Sequence, residues 1–106
     1  MLDKLREMTG GDEERIKLYI STFLEEVPEY CALLDEAIKS KDFEKIRYIA
    51  HISKPLLTMM GFDNLHKLAD DVETDIRNDA ESDQIINRSQ SLLAQMNETV
   101  ESLSEN

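Results

Sequence analysis

Residues 12–39, DEERIKLYISTFLEEVPEYCALLDEAIK, form a long amphipathic segment. Its apolar residues recur every three or four positions, at Ile16, Tyr19, Ile20, Phe23, Leu24, Val27, Tyr30, Cys31, Leu34 and Ile38. This spacing places them on one face of an α-helix. Asp12 follows two glycines and is suited to cap the helix, and the next two residues are acidic, as the positive end of the helix dipole favours. The segment therefore predicts a long helix that packs against other helices.

Three further helices follow from the same periodicity. Residues 42–60 form the second, with Gly61 as its C-terminal cap. A third begins at Asp63 or Asn64 and a fourth at Ser82 or Asp83, while residues 2–8 add a short leading helix. The inward residues of the last two long helices are Leu65, Leu68, Ala69, Val72 and Ile76, then Ile85, Ile86, Leu92, Leu93, Met96, Val100 and Leu103. Because short connections favour antiparallel neighbours, the predicted fold is all-α, an up-and-down four-helix bundle with a short extra N-terminal helix.

Length and charge narrow the class of protein. A chain of 106 residues suits one domain, which we place at residues 1–106. Its 23 acidic residues outnumber 12 basic ones, and the net charge of −11 argues against binding to nucleic acid or to anionic membranes. The longest uncharged apolar stretch, residues 55–62, is far short of the roughly 20 residues of a membrane span. With no signal peptide at the start and a single cysteine, Cys31, we expect a cytoplasmic protein and no membrane insertion.

The helix predicted over residues 42–60 has more than a core face. Its inward residues are Ile46, Ile49, Ala50, Ser53, Leu56, Leu57 and Met60. His51 points the opposite way, on a polar stripe with Arg47, Lys54 and Thr58. Beside this stripe lie four apolar residues that the core does not need, and with Thr58 they form what we call the docking strip: Tyr48, Ile52, Pro55, Thr58 and Met59. Such a strip indicates a binding site for another protein. Alternatively, Tyr48 and Met59 lean onto neighbouring helices and complete the edge of the core.

His51 and Lys54 lie one helical turn apart and share a face. Histidine is the side chain best suited to act as a nucleophile near neutral pH. The positive charge of Lys54 disfavours protonation of the imidazole, and the ammonium group can accompany an anion such as a phosphoryl group. A pair of this kind also occurs on helices by chance.

Other candidate sites are weaker. His66 lies off the core face of its helix, and we interpret it as an ordinary surface residue. We predict no metal site, because Cys31, His51 and His66 are the only soft ligands. The acidic residues of the third long helix surround it, which predicts a mostly solvated face: Asp70, Asp71, Glu73 and Asp75. The sequence has no glycine-rich phosphate loop and no Ser–His–Asp order, so no motif suggests an autonomous enzyme.

The order Ala50-His51, Lys54 and Gly61 resembles the phosphoacceptor helix of histidine-containing phosphotransfer (HPt) domains. The similarity extends over nearly the whole chain. It includes the short leading helix and three sequence stretches: TGGD at 9–12, FLEEVP at 23–28 and DF at 42–43. Each motif is weak alone, but their shared order and spacing are specific.

Two prolines fall inside predicted helices, Pro28 and Pro55. Each lacks a backbone donor, so we expect a kink at both positions. Pro55 is also a departure from the family, which usually has glycine four residues after the histidine. The Pro55 ring presses on the backbone carbonyl of His51. In the family a partner's receiver domain approaches the histidine here, so this departure leaves open which receiver domain binds and how fast the phosphoryl group is transferred.

The resemblance implies a phosphorelay intermediate. His51 would accept a phosphoryl group, through its outward ring nitrogen, from the aspartate of a response-regulator receiver domain and pass it to another receiver. Lys54 would offset the phosphate charge. Glu73 aligns with a family residue that orients the imidazole, although glutamate at such a position is also a common surface residue. The receiver would supply Mg²⁺, so this chain would be a phosphocarrier with no cofactor of its own and not an enzyme.

The expected partners are receiver domains, a hybrid histidine kinase, or both, and the expected state is a monomer. Two alternatives differ in class. A non-phosphorylated adaptor would dock partners through the docking strip alone. A dimerising, ATP-dependent kinase core would need a nucleotide-binding segment with glycine-rich and asparagine-containing boxes, and this sequence has none. The chain can equally be a C-terminal piece of a hybrid kinase.

Overall fold

The computed structural model describes residues 2–105, which form five helices joined by short turns. The helices are α1 (Asp3–Met8), α2 (Glu13–Ser40), α3 (Phe43–Met59), α4 (Asp63–Arg77) and α5 (Ser82–Ser104). Every predicted helix is present, with ends that differ from the prediction by one or two residues, and no strand occurs within residues 2–105. The all-α prediction is confirmed.

The four long helices pack in a ring. Helix α2 lies against α3 and α5, and α4 lies against the same two helices. With turns of only a few residues between them, successive helices run antiparallel, which confirms the up-and-down four-helix bundle. The bundle measures 43 × 22 × 17 Å. None of the helices in the described part of the chain is both long and apolar enough to cross a membrane.

The core lies between the four long helices and includes one residue from α1. Leu5 of α1 is fully buried among them. Phe23 of α2 meets Phe62 edge to face, with 5.5 Å between ring centroids. Several residues predicted to be inward are half-buried and pack against the edge of this core: Tyr19, Ile20, Leu24, Tyr30, Leu68, Ile86, Leu93 and Val100. The core face predicted for α3 is buried in full.

Asp12 caps α2 as predicted. Its carboxylate accepts hydrogen bonds from the backbone N–H groups of Glu14 and Arg15, at 3.1 and 3.4 Å. Asp42 caps α3 in the same way, through the N–H of Lys45 at 3.1 Å. Each cap satisfies backbone donors that the first turn of a helix leaves free.

Gly61 ends α3 as predicted. Its φ of +73° lies in the left-handed region, and the N–H groups of Gly61 and Phe62 donate back to the carbonyls of Thr58 and Leu57. This pair of bonds is the Schellman motif. A Cβ at position 61 would also come within 2.9 Å of the Lys4 side chain. Glycine is therefore favoured here by its conformation and by its size.

The ends of α2 and α4 use the same motif without glycine. Lys41 and Asp79 take positive φ angles of 54° and 55°. The following N–H groups, of Asp42 and Ala80, donate to carbonyls five residues back. Aspartate adopts this conformation more readily than lysine does, and the backbone hydrogen bonds of the motif stabilise both turns.

Both prolines lie within unbroken helices. Helix α2 continues through Pro28 and α3 continues through Pro55. Neither proline ends its helix, and the predicted kinks stay predictions.

Replacing Phe23 with alanine tests the packing of the bundle. The ring is fully buried and contacts Phe62, so we expect Phe23→Ala to lower the free energy of unfolding by about 3–5 kcal/mol. Urea denaturation followed by circular dichroism measures the change. The matched control is Leu18→Ala on the same helix, where the side chain is 61% exposed and a loss below about 0.5 kcal/mol is expected. Equal losses in the two variants would contradict this packing.

Candidate functional site

The antiparallel packing of α3 against α4 aligns two polar rows of side chains. His51 of α3 lies against Glu73 of α4, and one turn further along Lys54 lies against Asp70. His51 is exposed, with 61% of its side chain accessible, whereas the Glu73 side chain is only 4% exposed. The site is thus an exposed imidazole whose inner side contacts a buried carboxylate.

The Nδ1 atom of His51 lies 3.1 Å from Oε2 of Glu73. An ionised carboxylate can only accept hydrogen bonds, so Nδ1 must carry the hydrogen that is donated. In the neutral ring this leaves a lone pair on Nε2. The contact therefore selects the tautomer in which the lone pair lies on the outer nitrogen. Glu73 lies against the imidazole, where the resemblance places it, and the alternative of a common surface residue is wrong because the side chain is buried.

Glu73 has two further cationic neighbours. Nζ of Lys54 lies 2.9 Å from Oε1, and Nη2 of Arg77 donates to Oε2 at 3.0 Å. Burial opposes ionisation of this carboxyl, but the nearby Lys54 and His51 outweigh it, and the pKa of Glu73 lies below its ordinary value. Arg77 is not among the predicted site residues, although its position four residues after Glu73 on one helix is a signal for such a pair.

Lys54 contacts two carboxylates. Its ammonium group lies between Glu73 and Asp70, and it donates to Oδ1 of Asp70 at 3.0 Å. These contacts, with Glu73 first and Asp70 second, raise the pKa of Lys54. The effect on Asp70 is reciprocal, and its pKa is lowered mainly by Lys54. Two carboxylates therefore surround the positive charge of Lys54, which the local spacing alone did not predict.

A groove of about 510 Å³ begins at His51 and follows the boundary between α3 and α4. It is lined by His51, Lys54, Pro55, Thr58, Met59 and His66. His66 comes from α4 and is half-buried. His66 lies off the core face, as predicted, and it lines the same groove as His51.

Three residues of the docking strip line this groove, Pro55, Thr58 and Met59. The strip is only partly free of the core. Tyr48 is 58% exposed, and Pro55 and Thr58 are exposed as well. Ile52 is half-buried, and Met59 packs against the core. The prediction that the core does not need these residues is therefore wrong for Met59. For Met59 the alternative, a residue at the edge of the core, is right.

The acidic residues of α4 divide into two groups. Asp70 is exposed and Asp71 is half-buried, whereas Glu73 and Asp75 are buried. Both carboxylate oxygens of Asp75 accept from Nη1 of Arg88 on α5, at 2.8 and 2.7 Å. The prediction of a mostly solvated face is wrong for Glu73 and Asp75, because both carboxylates have cationic partners that permit burial.

Metal ligands do not cluster in the described part of the chain. Within residues 2–105, no three histidine, cysteine, aspartate or glutamate side chains are placed to hold a metal ion together. Cys31 is buried, and this burial raises the pKa of its thiol to about 11. A thiol in this state is a poor nucleophile at neutral pH.

The pH dependence of stability tests the state of Glu73. Because its pKa is lowered in the folded protein, the ionised form stabilises the fold above the ordinary value of 4.5, and this stabilisation is lost as the pH falls through the folded value. We expect Glu73→Gln to be less stable than the wild type at pH 7, with a difference that narrows towards pH 3. Urea denaturation at both pH values measures it. Glu98→Gln, an exposed site on α5, is the control, and a Glu73→Gln difference that is the same at both pH values would contradict the assignment.

Comparison with known proteins agrees with the geometry of this site. A family model described as Hpt domain matches residues 18–106. Comparisons with curated proteins and with solved structures find no match. The matched region contains α3 and α4, and with them the histidine and its supporting carboxylate. Hpt domains are phosphocarrier modules of two-component signalling that interact with receiver domains or kinases. The chain belongs to the Hpt domain family and has a phosphotransfer role in two-component signalling.

Proposed function

We propose that His51 accepts a phosphoryl group from the aspartyl phosphate of one receiver domain and passes it to the aspartate of another. The observation that carries this proposal is the contact between His51 Nδ1 and the buried carboxylate of Glu73, which leaves Nε2 directed towards solvent. A nucleophile on the surface of a helix is accessible to the concave active site of a partner. The groove beside His51 is open to solvent and does not enclose a small substrate.

The transfer step needs no proton movement on the ring. The lone pair of Nε2 forms the bond to phosphorus as the bond between phosphorus and the aspartyl oxygen breaks, and that electron pair leaves with the receiver's carboxylate. The ring keeps its hydrogen on Nδ1 and becomes positively charged. Glu73 faces this hydrogen and stabilises the charge, as the buried aspartate does for histidine in a serine protease. Reversal of the same step returns the phosphoryl group to an aspartate.

Lys54 is the charge partner in this proposal. It lies one turn from His51, and its side chain is only 20% exposed. A phosphoryl group on Nε2 brings negative charge to a surface that already has two carboxylates, Asp70 and Glu73. Lys54 is placed to offset part of that charge.

The receiver supplies the remaining chemistry. Its aspartate is the second phosphoryl site, and Mg²⁺ bound in the receiver neutralises the phosphate oxygens during transfer. In this proposal the chain has no cofactor of its own. The chain acts as a single domain over residues 1–106 and as a monomer in the cytoplasm. Its partners are receiver domains, a hybrid histidine kinase, or both.

The docking strip provides the contact with the receiver. Tyr48 and Ile52 lie on the same helix as His51, within one turn of it, and Pro55 and Thr58 extend the strip along the groove. A receiver seated on the strip brings its aspartate over Nε2. The exposed Pro55 adds a ring at this surface where the family usually has glycine, and it therefore contributes to which receivers fit.

Removing the imidazole tests the phosphoacceptor. We expect His51→Gln to abolish labelling by a phosphorylated receiver, because glutamine has no nucleophilic nitrogen. The measurement is transfer of ³²P to the chain, with the label acid-labile and base-stable, as expected of phosphohistidine. His66→Gln removes the other histidine, which lines the same groove, and should keep the label. Label that persists in His51→Gln, or no label on the wild type from any receiver, contradicts the proposal.

Truncating Tyr48 tests the docking strip. Since aromatic side chains often dominate protein interfaces, we expect Tyr48→Ala to raise the KM for the phosphorylated receiver by about five- to tenfold and to leave kcat nearly unchanged. Leu18→Ala, an equally exposed apolar residue on α2, should change neither value. A lower kcat with an unchanged KM would place Tyr48 in the chemical step rather than in docking. Receiver binding that survives His51→Ala while no label forms on the wild type would favour the adaptor.

A further inference from the structure

Asp70 holds Lys54 in the unphosphorylated protein. Its Oδ1 atom accepts from the lysine ammonium at 3.0 Å, across the boundary between α3 and α4. More than half of the Asp70 side chain is exposed, in contrast to buried Glu73, the other partner of Lys54. Asp70 is therefore the one of the two carboxylates that can release the ammonium without leaving a buried charge unpaired.

Several charged or titratable side chains lie near Asp70 because of its position on α4. His66 lies one turn before it and Glu73 one turn after it, on the face that meets α3. Besides Lys54, His66 and Arg77 favour the ionised form of Asp70. Asp70 is thus a negative charge at the edge of the surface that would receive the phosphoryl group.

We propose that Asp70 is a positioning residue that competes with the phosphoryl group for Lys54 and so keeps phospho-His51 easy to discharge. This inference deepens the proposed function and rests on it. In the unphosphorylated protein Asp70 fixes the ammonium close to His51. After transfer, Lys54 turns towards the phosphoryl oxygens and its contact with Asp70 weakens.

The consequence is a less stable phosphohistidine. The phosphoryl group must share Lys54 with Asp70, and it also meets the repulsion of the Asp70 carboxylate. Both effects act against phospho-His51 and leave the aspartyl phosphate of the receiver unaffected. Asp70 therefore shifts the transfer equilibrium towards the receiver, as suits a carrier that must give up its phosphoryl group.

Neutralising Asp70 tests the proposal at equilibrium. The expected result for Asp70→Asn is a shift of about three- to fivefold towards phospho-His51, the size expected of an exposed charge pair. The measurement is the distribution of ³²P between the chain and one receiver, mixed at known concentrations. Asp70→Glu keeps the carboxylate and should restore most of the wild-type ratio.

The control for this experiment is the neighbouring carboxylate. Asp71 pairs with Lys67 on α4 itself, at 3.3 Å, so Asp71→Asn removes the same charge one residue away from the site. It should leave the ratio unchanged, and thermal melting should show that both variants are folded. An unchanged ratio in Asp70→Asn, an opposite shift, or an equal shift in Asp71→Asn would overturn the proposal.

A second measurement is independent of any receiver. Phosphoramidate phosphorylates imidazoles directly: its P–N bond breaks, the electron pair leaves on ammonia, and Nε2 of His51 bonds to phosphorus. Titration of the side-chain carboxyl carbons by NMR should show a higher pKa for Asp70 in the phosphorylated chain than in the unphosphorylated one. A pKa that stays the same or falls would overturn the inference about Asp70. If the pKa rises while no receiver labels the chain, the proposed relay fails and the competition for Lys54 stands.

Discussion

The buried carboxylate of Glu73 is the constraint on which the site depends. A charge in the interior of a helical bundle is unfavourable unless positive groups and hydrogen-bond donors surround it. Here His51, Lys54 and Arg77 meet its two oxygens from α3 and from α4 itself. The carboxylate therefore sets the tautomer of the imidazole and holds the lysine close, and it can do so only while α3 and α4 keep their register.

That register is set at the helix ends. The turn between α3 and α4 has Gly61 in a left-handed conformation, and the N–H groups of Gly61 and Phe62 bond back to the last turn of α3. Phe62 then packs on Phe23 of α2. Because this turn fixes where α4 starts, it also fixes which residue of α4 lies opposite His51. Packing in the core and chemistry at the surface are linked through one short connection.

The polar row along the boundary between α3 and α4 contains both buried and exposed side chains. Glu73 is buried and cannot leave its partners at low cost, whereas Asp70 and Arg77 are largely exposed. Lys54 lies between the two kinds of neighbour. In our proposal, this difference in burial separates a permanent function, which is to orient the imidazole, from an exchangeable one, which is to neutralise the phosphoryl charge. An exposed ion pair is weak in water, and the proposed exchange relies on that weakness.

The sequence by itself determined the helices, most of the core and the identity of the exposed histidine. Periodicity, the Asp12 cap and Gly61 act within one or two helical turns, so they can be read from local spacing. The tertiary structure alone decided which side chains of α4 meet α3. Glu73, Asp70 and His66 look alike as polar residues of an amphipathic helix, and only the packing of two helices buries the first, pairs the second with Lys54 and places the third in the groove of His51. The left-handed turns at Lys41 and Asp79 escaped prediction because neither residue is the glycine that usually marks such a turn.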